Sequence, residues 1–325
     1  MSPRSAPVSR PRSVELDYHW VEVHREALSS VWLGFPADAR VLIVNCDNLG
    51  MDDRVTAGVL TAVQDGIATS CSLMAPATAA PAAIEALRRC PDVPFGLHLT
   101  LTRDVAQLDW APLAPAARVP SLVDEDGLLP TTAAAPALLA RARIEEVEVE
   151  LRAQIDSVVK TGLRPTHLDW HVLADGGRPD PLDLTIALAT EYELAARVWL
   201  DAGRRAARAR GLPCIDNAFL DSFSLDVPGK ARHDERLLRE LPPGLSEWAV
   251  HPAADPIRPD TVLGDKTTED TEDVDLGWAV RHSDLQFLTS DRARRIVGAE
   301  RIHLVDYRRL QRAWTDQLRR HKPSQ

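Results

Sequence analysis

Residues 41–90 decide the fold, and they read VLIVNCDNLGMDDRVTAGVLTAVQDGIATSCSLMAPATAAPAAIEALRRC. Two apolar runs, at 41–46 and 68–74, have the length and composition of buried strands. A helical pattern of apolar residues follows each run, at 52–66 and at 79–90. This alternation predicts a β-α-β-α unit, in which the strands are parallel.

The alternation continues along the chain and predicts an α/β fold with a parallel sheet, open or closed into a barrel. The further runs that we expect to form strands are 93–99, 165–171, 194–200, 246–252 and 301–307, with a helix after them at 308–321. Two long stretches interrupt the pattern, an Ala- and Pro-rich one at 102–139 and an acidic one at 253–283. We expect both to be loops over one end of the scaffold, the acidic one as solvated surface or as a substrate lid.

The start of the chain carries no motif of its own. Residues 1–36 are expected to form an N-terminal extension, partly disordered, of which 1–13 are a Pro- and Ser-rich leader. Trp20 and Trp32 lie in a weakly helical pattern and are expected to pack on the domain. Residues 37–325 are then expected to form a single catalytic β/α-barrel domain.

Composition limits the class of function. The 325 residues are 45% hydrophobic and 26% charged, which is enough for a large core. A net charge of -10 argues against a nucleic acid or an anionic membrane as main partner and favours a small substrate. The four cysteines have no CxxC spacing, and neither a signal peptide nor an apolar run of ~18 residues is present. We therefore expect a cytoplasmic protein without a disulfide framework.

Polar side chains capable of metal binding or proton transfer end four of the predicted strands. Parallel strands present their carboxyl ends on one face, where active sites are built, so these side chains can converge. Imidazole together with carboxylate or amide oxygen suits a divalent ion held by three protein groups, with positions left open for substrate. The residues are Asp47, Asn48, His98, His167, Asp169, His171 and His251.

Each residue taken singly has a structural explanation. An isolated histidine in an apolar run is usually a hydrogen-bonded core residue, and an Asp-Asn pair after a strand is often a turn or a helix cap. Their shared place at strand ends favours a metal site instead. Such an ion can activate water and stabilise an oxyanion, which suits hydrolysis of an amide or ester.

Four segments resemble the YdjC-like carbohydrate deacetylases, a family that includes chitooligosaccharide deacetylases and a hopanoid-pathway group. They are NCDNLGMDDRVTAGVLTAVQDGIATSCSLMAPA (45–77), FGLHLTLT (95–102), RPTHLDWH (164–171) and AVHPA (249–253). The family pattern reads approximately NADDFG, GLHLTLT, PTHLDSHxH and CHP. The resemblance extends with gaps over 41–310 and is weak within both long stretches.

The resemblance implies a deformed β/α barrel and metal-dependent removal of an acetyl group from an N-acetylated sugar. Asp47 matches the first aspartate of the family's pair, which resembles a general base. His98 and His171 match the two metal-binding histidines. His251 matches the histidine of CHP, the candidate general acid that would protonate the leaving amine.

Asn48 is the main departure, because the family has a metal-binding aspartate at this place. Hard divalent ions prefer carboxylate oxygen, so we expect weaker metal binding, although a neutral ligand leaves the ion more electrophilic. Asp52 or Asp53 could compensate, but capping of the following helix is the favoured role for both. The cofactor is expected to be one divalent ion, magnesium or zinc, and the two imidazoles favour the softer metal.

The segment around His171 departs too, because Trp170 replaces a small residue and the downstream histidines are missing. Trp170 could stack on a sugar or fill the core. Asp169 is expected to orient a ligand histidine or pair with an arginine, with a turn as the alternative, and His167 to support the ligands from the same strand face. Arg197 could reach the pocket, but a surface or structural role is favoured.

The resulting hypothesis is a metal-dependent hydrolase that removes an N-acetyl group from a small carbohydrate or glycoconjugate. One alternative is a non-catalytic relative that binds a sugar or a protein partner, with Asn48 marking the loss of catalysis. Another is a hydrolase of the same mechanism that acts on a different amide. The oligomeric state is left open, with a homodimer as one option.

Overall fold

The structure is a computed structural model that describes residues 28–223, 227–254 and 277–321. The leader, Trp20 and most of the acidic stretch lie outside the described residues. The end of the extension is attached to the domain, because the backbone amides of Ser29 and Ser30 donate to the buried carboxylate of Asp216 at 2.8 and 3.2 Å. Trp32 remains 38% exposed.

The described residues contain eight strands, and all of their ladders are parallel. Seven lie in the order β5-β4-β3-β2-β1-β7-β6, and β8 pairs with the first half of β1. Every predicted apolar run overlaps one of these strands. The strands are β1 Arg40–Leu49, β2 Ser70–Leu73, β3 Phe95–Leu99, β4 His167–Trp170, β5 Ala195–Ala196, β6 Leu220–Asp221, β7 Gly244–Val250 and β8 His303–Leu304.

Strand β1 is the centre of the sheet. Its residues from Val41 to Leu49 are all buried, as expected of a strand covered on both faces. It pairs with β7 from Arg40 to Cys46 and with β2 beyond Asn45. The register with β2 shifts between Cys46 and Leu49, so the strand carries an irregularity where its polar residues begin.

Helices connect the strands and cover the sheet. Helix α2 begins at Asp53, and the Asp52 carboxylate caps it by accepting from the Arg54 amide at 2.7 Å, as the sequence favoured. The helices are α1 Ser29–Trp32, α2 Asp53–Asp65, α3 Ala80–Arg89, α4 Ala135–Arg141, α5 Ile144–Val159, α6 Pro179–Glu191, α7 Asp201–Ala209, α8 Lys230–Arg239, α9 Trp278–Leu288, α10 Asp291–Ala299 and α11 Tyr307–His321.

The Ala- and Pro-rich stretch at 102–139 is a packed connection. Trp110 and Leu129 are completely buried within it. The buried Glu150 of α5 accepts from the backbone amides of Leu113 and Ala114 at 3.0 and 2.9 Å. These contacts hold the stretch against the barrel.

The sheet curls on itself. Arg197 directly follows β5, yet it forms ion pairs with Asp47 on β1 and Glu247 on β7, which are not neighbours of β5 in the sheet. No ladder joins β5 to β6 among the residues that the structure describes, so the sheet is a curled half-barrel. The predicted α/β fold with a deformed barrel is confirmed. Within the same residues, no helix has the length and apolar character needed to cross a bilayer.

Candidate active site

A cavity of about 450 Å³ opens at the carboxyl ends of the strands. Most of the polar side chains predicted from the strand ends reach it, and aromatic side chains form much of the remaining wall. Such a mixture is typical of a small-molecule site. The lining includes Asp47, Asn48, His98, Asp104, Trp170, His171, Trp199, Phe219, Asp221, Phe223, His251 and Arg281.

The irregularity in β1 brings two consecutive residues to this cavity. Neighbours along a regular strand point to opposite faces. Asn48 instead has a φ of 67°, in the left-handed region that asparagine tolerates better than most residues. As a result, Asp47 and Asn48 both line the cavity.

Asp47 is held by an arginine in a two-pronged ion pair. The Nη1 and Nη2 atoms of Arg197 each donate to one oxygen of Asp47 at 2.8 Å, and Asn45 Nδ2 donates to Oδ1 at the same distance. Burial opposes the charge of this carboxylate, but Arg197 outweighs that effect and holds the pKa of Asp47 well below its usual range. Asp47 is therefore an ionised acceptor with a fixed orientation.

Arg197 is completely enclosed by carboxylates. Its Nη1 also lies 3.0 Å from Asp169 Oδ2, and its Nε donates to Glu247 at 2.7 Å. Tyr307 donates its hydroxyl to the other oxygen of Glu247 at 2.6 Å. Burial raises the pKa of Glu247. Burial opposes the charge of Arg197, but the acidic neighbours outweigh this effect and raise the pKa of Arg197. The structure thus places Arg197 in the interior, behind the cavity wall.

His98 is oriented by Asp169. Its Nδ1 lies 3.0 Å from Asp169 Oδ1, and its Nε2 lies 3.9 Å from Asp47 Oδ2. A carboxylate only accepts, so the hydrogen of Nδ1 points to Asp169 and leaves Nε2 facing the cavity side. This is the arrangement of a metal-binding histidine with a carboxylate behind it. Asp169 therefore fills both of its predicted roles, toward a histidine and toward an arginine.

His171 is oriented in the same manner by a residue that the sequence did not single out. Its Nε2 lies 2.7 Å from Asp104 Oδ1, and its Nδ1 lies 3.2 Å from Asn48 Nδ2. Burial opposes the charge of Asp104, but His171 outweighs it and lowers the pKa of that carboxyl. The Nδ1 lone pair of His171 is consequently directed at residue 48.

The amide of Asn48 has one possible orientation. Arg281 Nη1 lies 3.2 Å from its Oδ1, and a guanidinium only donates. The amide nitrogen must then face His171 and donate to Nδ1, at 3.2 Å. Asn48 thus places its oxygen toward a buried cation and its nitrogen toward the histidine.

The donor set fits a divalent cation. Ligand atoms of Asp47, His98 and Asp169 lie within 4.8 Å of one another, which is the spacing of a metal site. Both cavity histidines present one nitrogen inward and hold the other against a carboxylate. Among the described residues, five acidic groups and the two arginines Arg197 and Arg281 lie in or directly behind the cavity wall, so an added cation is favoured. The acidic groups are Asp47, Asp104, Asp169, Asp221 and Glu247.

His251 lies across the cavity from the two other histidines. Its Nε2 is 3.9 Å from Asp47 Oδ2, and its Nδ1 is 3.1 Å from Ser222 Oγ. Burial lowers the pKa of His251, against the opposing charges of Asp221 and Asp47. The imidazole therefore presents Nε2 to the same space as Asp47.

Two predicted residues of β4 lie mainly behind the site. His167 is completely buried, stacks on Tyr307 with ring centroids 3.5 Å apart, and has Nε2 3.8 Å from Asp169. Burial lowers the pKa of His167 to about 3. Trp170 is 2% exposed, donates its indole N–H to Thr185 at 2.9 Å, and contributes to the cavity wall.

Several residues in or behind the cavity wall were not predicted from the sequence. Asp104 lies two residues after the FGLHLTLT segment, so its proximity to a histidine strand was a usable signal. Asp221 is the second residue of the two-residue strand β6 and Ser222 follows it, and no predicted apolar run marks this strand. Arg281 lies on α9, which begins at Trp278 inside the stretch 253–283 that we expected to be a loop, and nothing in its local pattern indicates a role.

Comparison with known proteins identifies a family and relatives of this chain. The YdjC-like protein family model matches residues 41–299. A carbohydrate deacetylase from Geobacillus stearothermophilus is 35% identical over 184 residues, which cover 57% of this chain and 68% of that protein. A chitooligosaccharide deacetylase from Serratia marcescens is 30% identical over 217 residues, 66% of this chain and 82% of that protein.

A solved structure agrees as well. A protein from Enterococcus faecalis V583, named for cellobiose-phosphate cleavage, superimposes with a TM-score of 0.66 at 26% identity. The match covers 83% of this chain and 98% of that one. By the extent of the family match and its agreement with the fold, the chain belongs to the YdjC-like protein family.

Proposed function

We propose that this chain hydrolyses the amide bond of a small N-acetylated carbohydrate or glycoconjugate and releases acetate, with the help of a divalent metal ion. The observation that carries the proposal is the convergence of four strand ends in one cavity, where Asp47, His98, His171 and His251 meet. Relatives named carbohydrate deacetylase and chitooligosaccharide deacetylase support the reaction class.

Asp47 is the proposed proton acceptor. Its carboxylate is ionised, and Arg197 and Asn45 hold it toward the cavity. A fixed carboxylate can orient a water molecule and accept its proton as the water attacks the acetamide carbonyl. Because Arg197 restrains both oxygens, little reorientation is needed during the reaction.

His251 is the proposed proton donor to the leaving amine. Its Nε2 lies 3.9 Å from Asp47 Oδ2, so both groups face the same part of the cavity and could act on one bound acetamide. Nδ1 is engaged by Ser222, which prevents the ring from turning away. In the imidazolium form Nε2 also carries a proton, and its transfer to the leaving nitrogen would complete cleavage of the carbon–nitrogen bond.

The proposed metal ligands are His98, His171 and the amide oxygen of Asn48, with zinc or magnesium as the candidate ions. When bound, such an ion would supply Lewis-acid polarisation of the acetamide carbonyl and lower the pKa of water. The two histidines are already oriented by Asp169 and Asp104. Asn48 is the weakest of the three, because in this structure its oxygen accepts from Arg281 and its nitrogen faces His171. The amide would have to turn to bring its oxygen beside that histidine.

The aromatic wall is the proposed binding surface for the sugar. Trp199 and Phe219 pack edge to face with ring centroids 4.0 Å apart, and Phe223 lies 5.0 Å from the His251 ring. Aromatic faces bind the apolar faces of sugar rings and exclude water from polar contacts.

A further proposal, a cytoplasmic location, is supported by the four unpaired cysteines, since free thiols persist in reducing compartments.

A second candidate is a non-catalytic relative that binds a carbohydrate without cleaving it. The contact that favours it is the Arg281–Asn48 hydrogen bond, which places a cation on the oxygen where the family has a metal-binding carboxylate. This candidate predicts sugar binding without acetate release and without a tightly bound metal.

The test is acetate release from N-acetylglucosamine and its oligomers, measured with metal content on the same samples. Asp47→Asn should abolish turnover while metal is retained, and His98→Ala should lose the metal. Asp38→Asn, at an exposed position, is the matched control and should behave as the parent. A metal-free parent that binds these sugars but releases no acetate would overturn the proposal in favour of the second candidate, provided that circular dichroism shows a folded protein.

A further inference from the structure

A completely buried lysine lies behind His251 and has no role in the reaction as proposed so far. Lys230, at the start of α8, forms ion pairs with Asp284 at 2.5 Å and with Asp234 at 2.9 Å. All three side chains are essentially without solvent exposure. Burial disfavours the ammonium charge, but the two carboxylates outweigh it and raise the pKa of Lys230. Buried ion pairs are rarely the most stable way to fill a core, so a functional reason is worth seeking.

Asp284 connects this lysine to His251. Its Oδ2 accepts from the backbone amide of His251 at 2.8 Å and from the hydroxyl of Ser222 at 2.6 Å. Ser222 has a single hydroxyl hydrogen, and the contact with Asp284 uses it. The Ser222 oxygen can then only accept in its 3.1 Å contact with His251 Nδ1. The hydrogen must therefore reside on Nδ1.

We propose that Lys230, Asp284 and Ser222 form a positioning relay that fixes the tautomer of His251, so that Nε2 is the nitrogen that exchanges protons with the substrate. Lys230 forms an ion pair with Asp284, Asp284 orients the Ser222 hydroxyl, and Ser222 accepts from Nδ1. The proposal rests on the proposed function for the role of His251, but the tautomer itself does not depend on it.

The surroundings of the ring support one orientation. Nε2 faces Asp47 at 3.9 Å, Nδ1 lies 3.9 Å from Asp221, and Arg281 is the nearby cation. The Phe223 ring packs edge to face against the imidazole with centroids 5.0 Å apart. The opposite tautomer would set the Nδ1 lone pair against the Ser222 lone pair, which is a repulsive contact.

The test is side-chain NMR of the full chain labelled with ¹⁵N-histidine, recorded where His251 is neutral and assigned with His251→Gln. We expect a wild-type signal with Nδ1 protonated and Nε2 bare. Ser222→Ala should give a mixture of tautomers, and Ser222→Thr should restore the wild-type pattern. A wild-type signal with Nε2 protonated, or a Ser222→Ala spectrum identical to that of the wild type, would overturn the relay. If a variant does not fold, the tautomer seen in the wild-type spectrum is the deciding result.

Lys230 is tested against a matched neighbour. Lys230→Met should shift the tautomer in the direction of Ser222→Ala, whereas Asp234→Asn leaves the Lys230–Asp284 pair and should not. Turnover of N-acetylglucosamine oligomers should fall about 10–100-fold in Ser222→Ala and Lys230→Met with KM unchanged. If Lys230→Met leaves the tautomer unaltered, the lysine is not part of the relay. An inactive wild type with the expected tautomers would refute the proposed function and leave the relay standing.

Discussion

Replacing Asn48 with aspartate changes the group that faces His171 from a hydrogen-bond donor to an acceptor. The Asn48 amide nitrogen donates to His171 Nδ1 at 3.2 Å, and a carboxylate oxygen there could only accept. Asn48→Asp would therefore set two lone pairs against each other unless a cation lies between them. The variant is expected to be less stable than the parent without metal, and to bind a divalent ion more tightly.

The size of both effects follows from the contacts. The lost hydrogen bond costs about 1 kcal/mol in the metal-free protein. Two unit charges 4 Å apart attract by about 4 kcal/mol at an effective dielectric of about 20. Arg281 lies 3.2 Å from the Asn48 oxygen and would neutralise much of the new charge. We expect a net gain of about 1.4–2.8 kcal/mol, or about 10–100-fold in the Kd for zinc.

The assay is zinc titration against a competing chelator, together with thermal unfolding with and without zinc. Asn48→Asp should show a lower Tm than the parent in chelator and a larger rise when zinc is added. Gln64→Glu adds the same charge at an exposed position of α2 and should change neither value. An unchanged or weaker zinc affinity in Asn48→Asp would refute the placement of residue 48 at the metal.

Three further predictions concern the scaffold. Arg197→Met removes the cation from three buried carboxylates and should lower the free energy of unfolding in urea by about 3–5 kcal/mol. Arg197→Lys should cause a smaller loss. Equal unfolding midpoints for the parent and both variants would contradict the ion-pair network. Gly58→Ala would place a methyl group 2.5 Å from the backbone of Ala253 and should lower the free energy of unfolding by about 1–3 kcal/mol. Gly298→Ala on α10 faces open space and should raise the free energy of unfolding by about 0.5–1 kcal/mol. A higher Tm for Gly58→Ala than for Gly298→Ala would contradict the packing of α2. Trp170→Phe removes one buried hydrogen bond and should cost about 1 kcal/mol with KM for N-acetylglucosamine oligomers unchanged; a several-fold rise in KM would show that the indole binds the sugar.

Sequence reasoning worked best where one residue pattern determines both the strand and the site. The β1 run predicts a fully buried central strand, and it ends in Asp47 and Asn48, which line the cavity. The same holds for His98 and His251, because parallel strands end at one face of the sheet. These positions follow from local periodicity and the rules of parallel sheets alone.

The remaining parts of the site depend on contacts that no local pattern encodes. A surface or structural role was favoured for Arg197 because arginine is frequent in this chain. Curling of the sheet gives it a buried structural role, in ion pairs with Asp47 and Glu247. Asp104 becomes part of the site because the chain after β3 turns back on His171. Lys230 sits on a helix whose sequence, KARHDERLLR, has the composition of a surface helix. Such long-range pairings require the tertiary structure.

The left-handed backbone at Asn48 limits which residues evolution can place there. A φ of 67° is tolerated by glycine, asparagine and aspartate, and it is costly for branched or bulky side chains. Codons for asparagine and aspartate differ by a single base, and the two side chains have nearly the same shape. A lineage can therefore exchange an anionic oxygen for a neutral one at this position without rebuilding the strand.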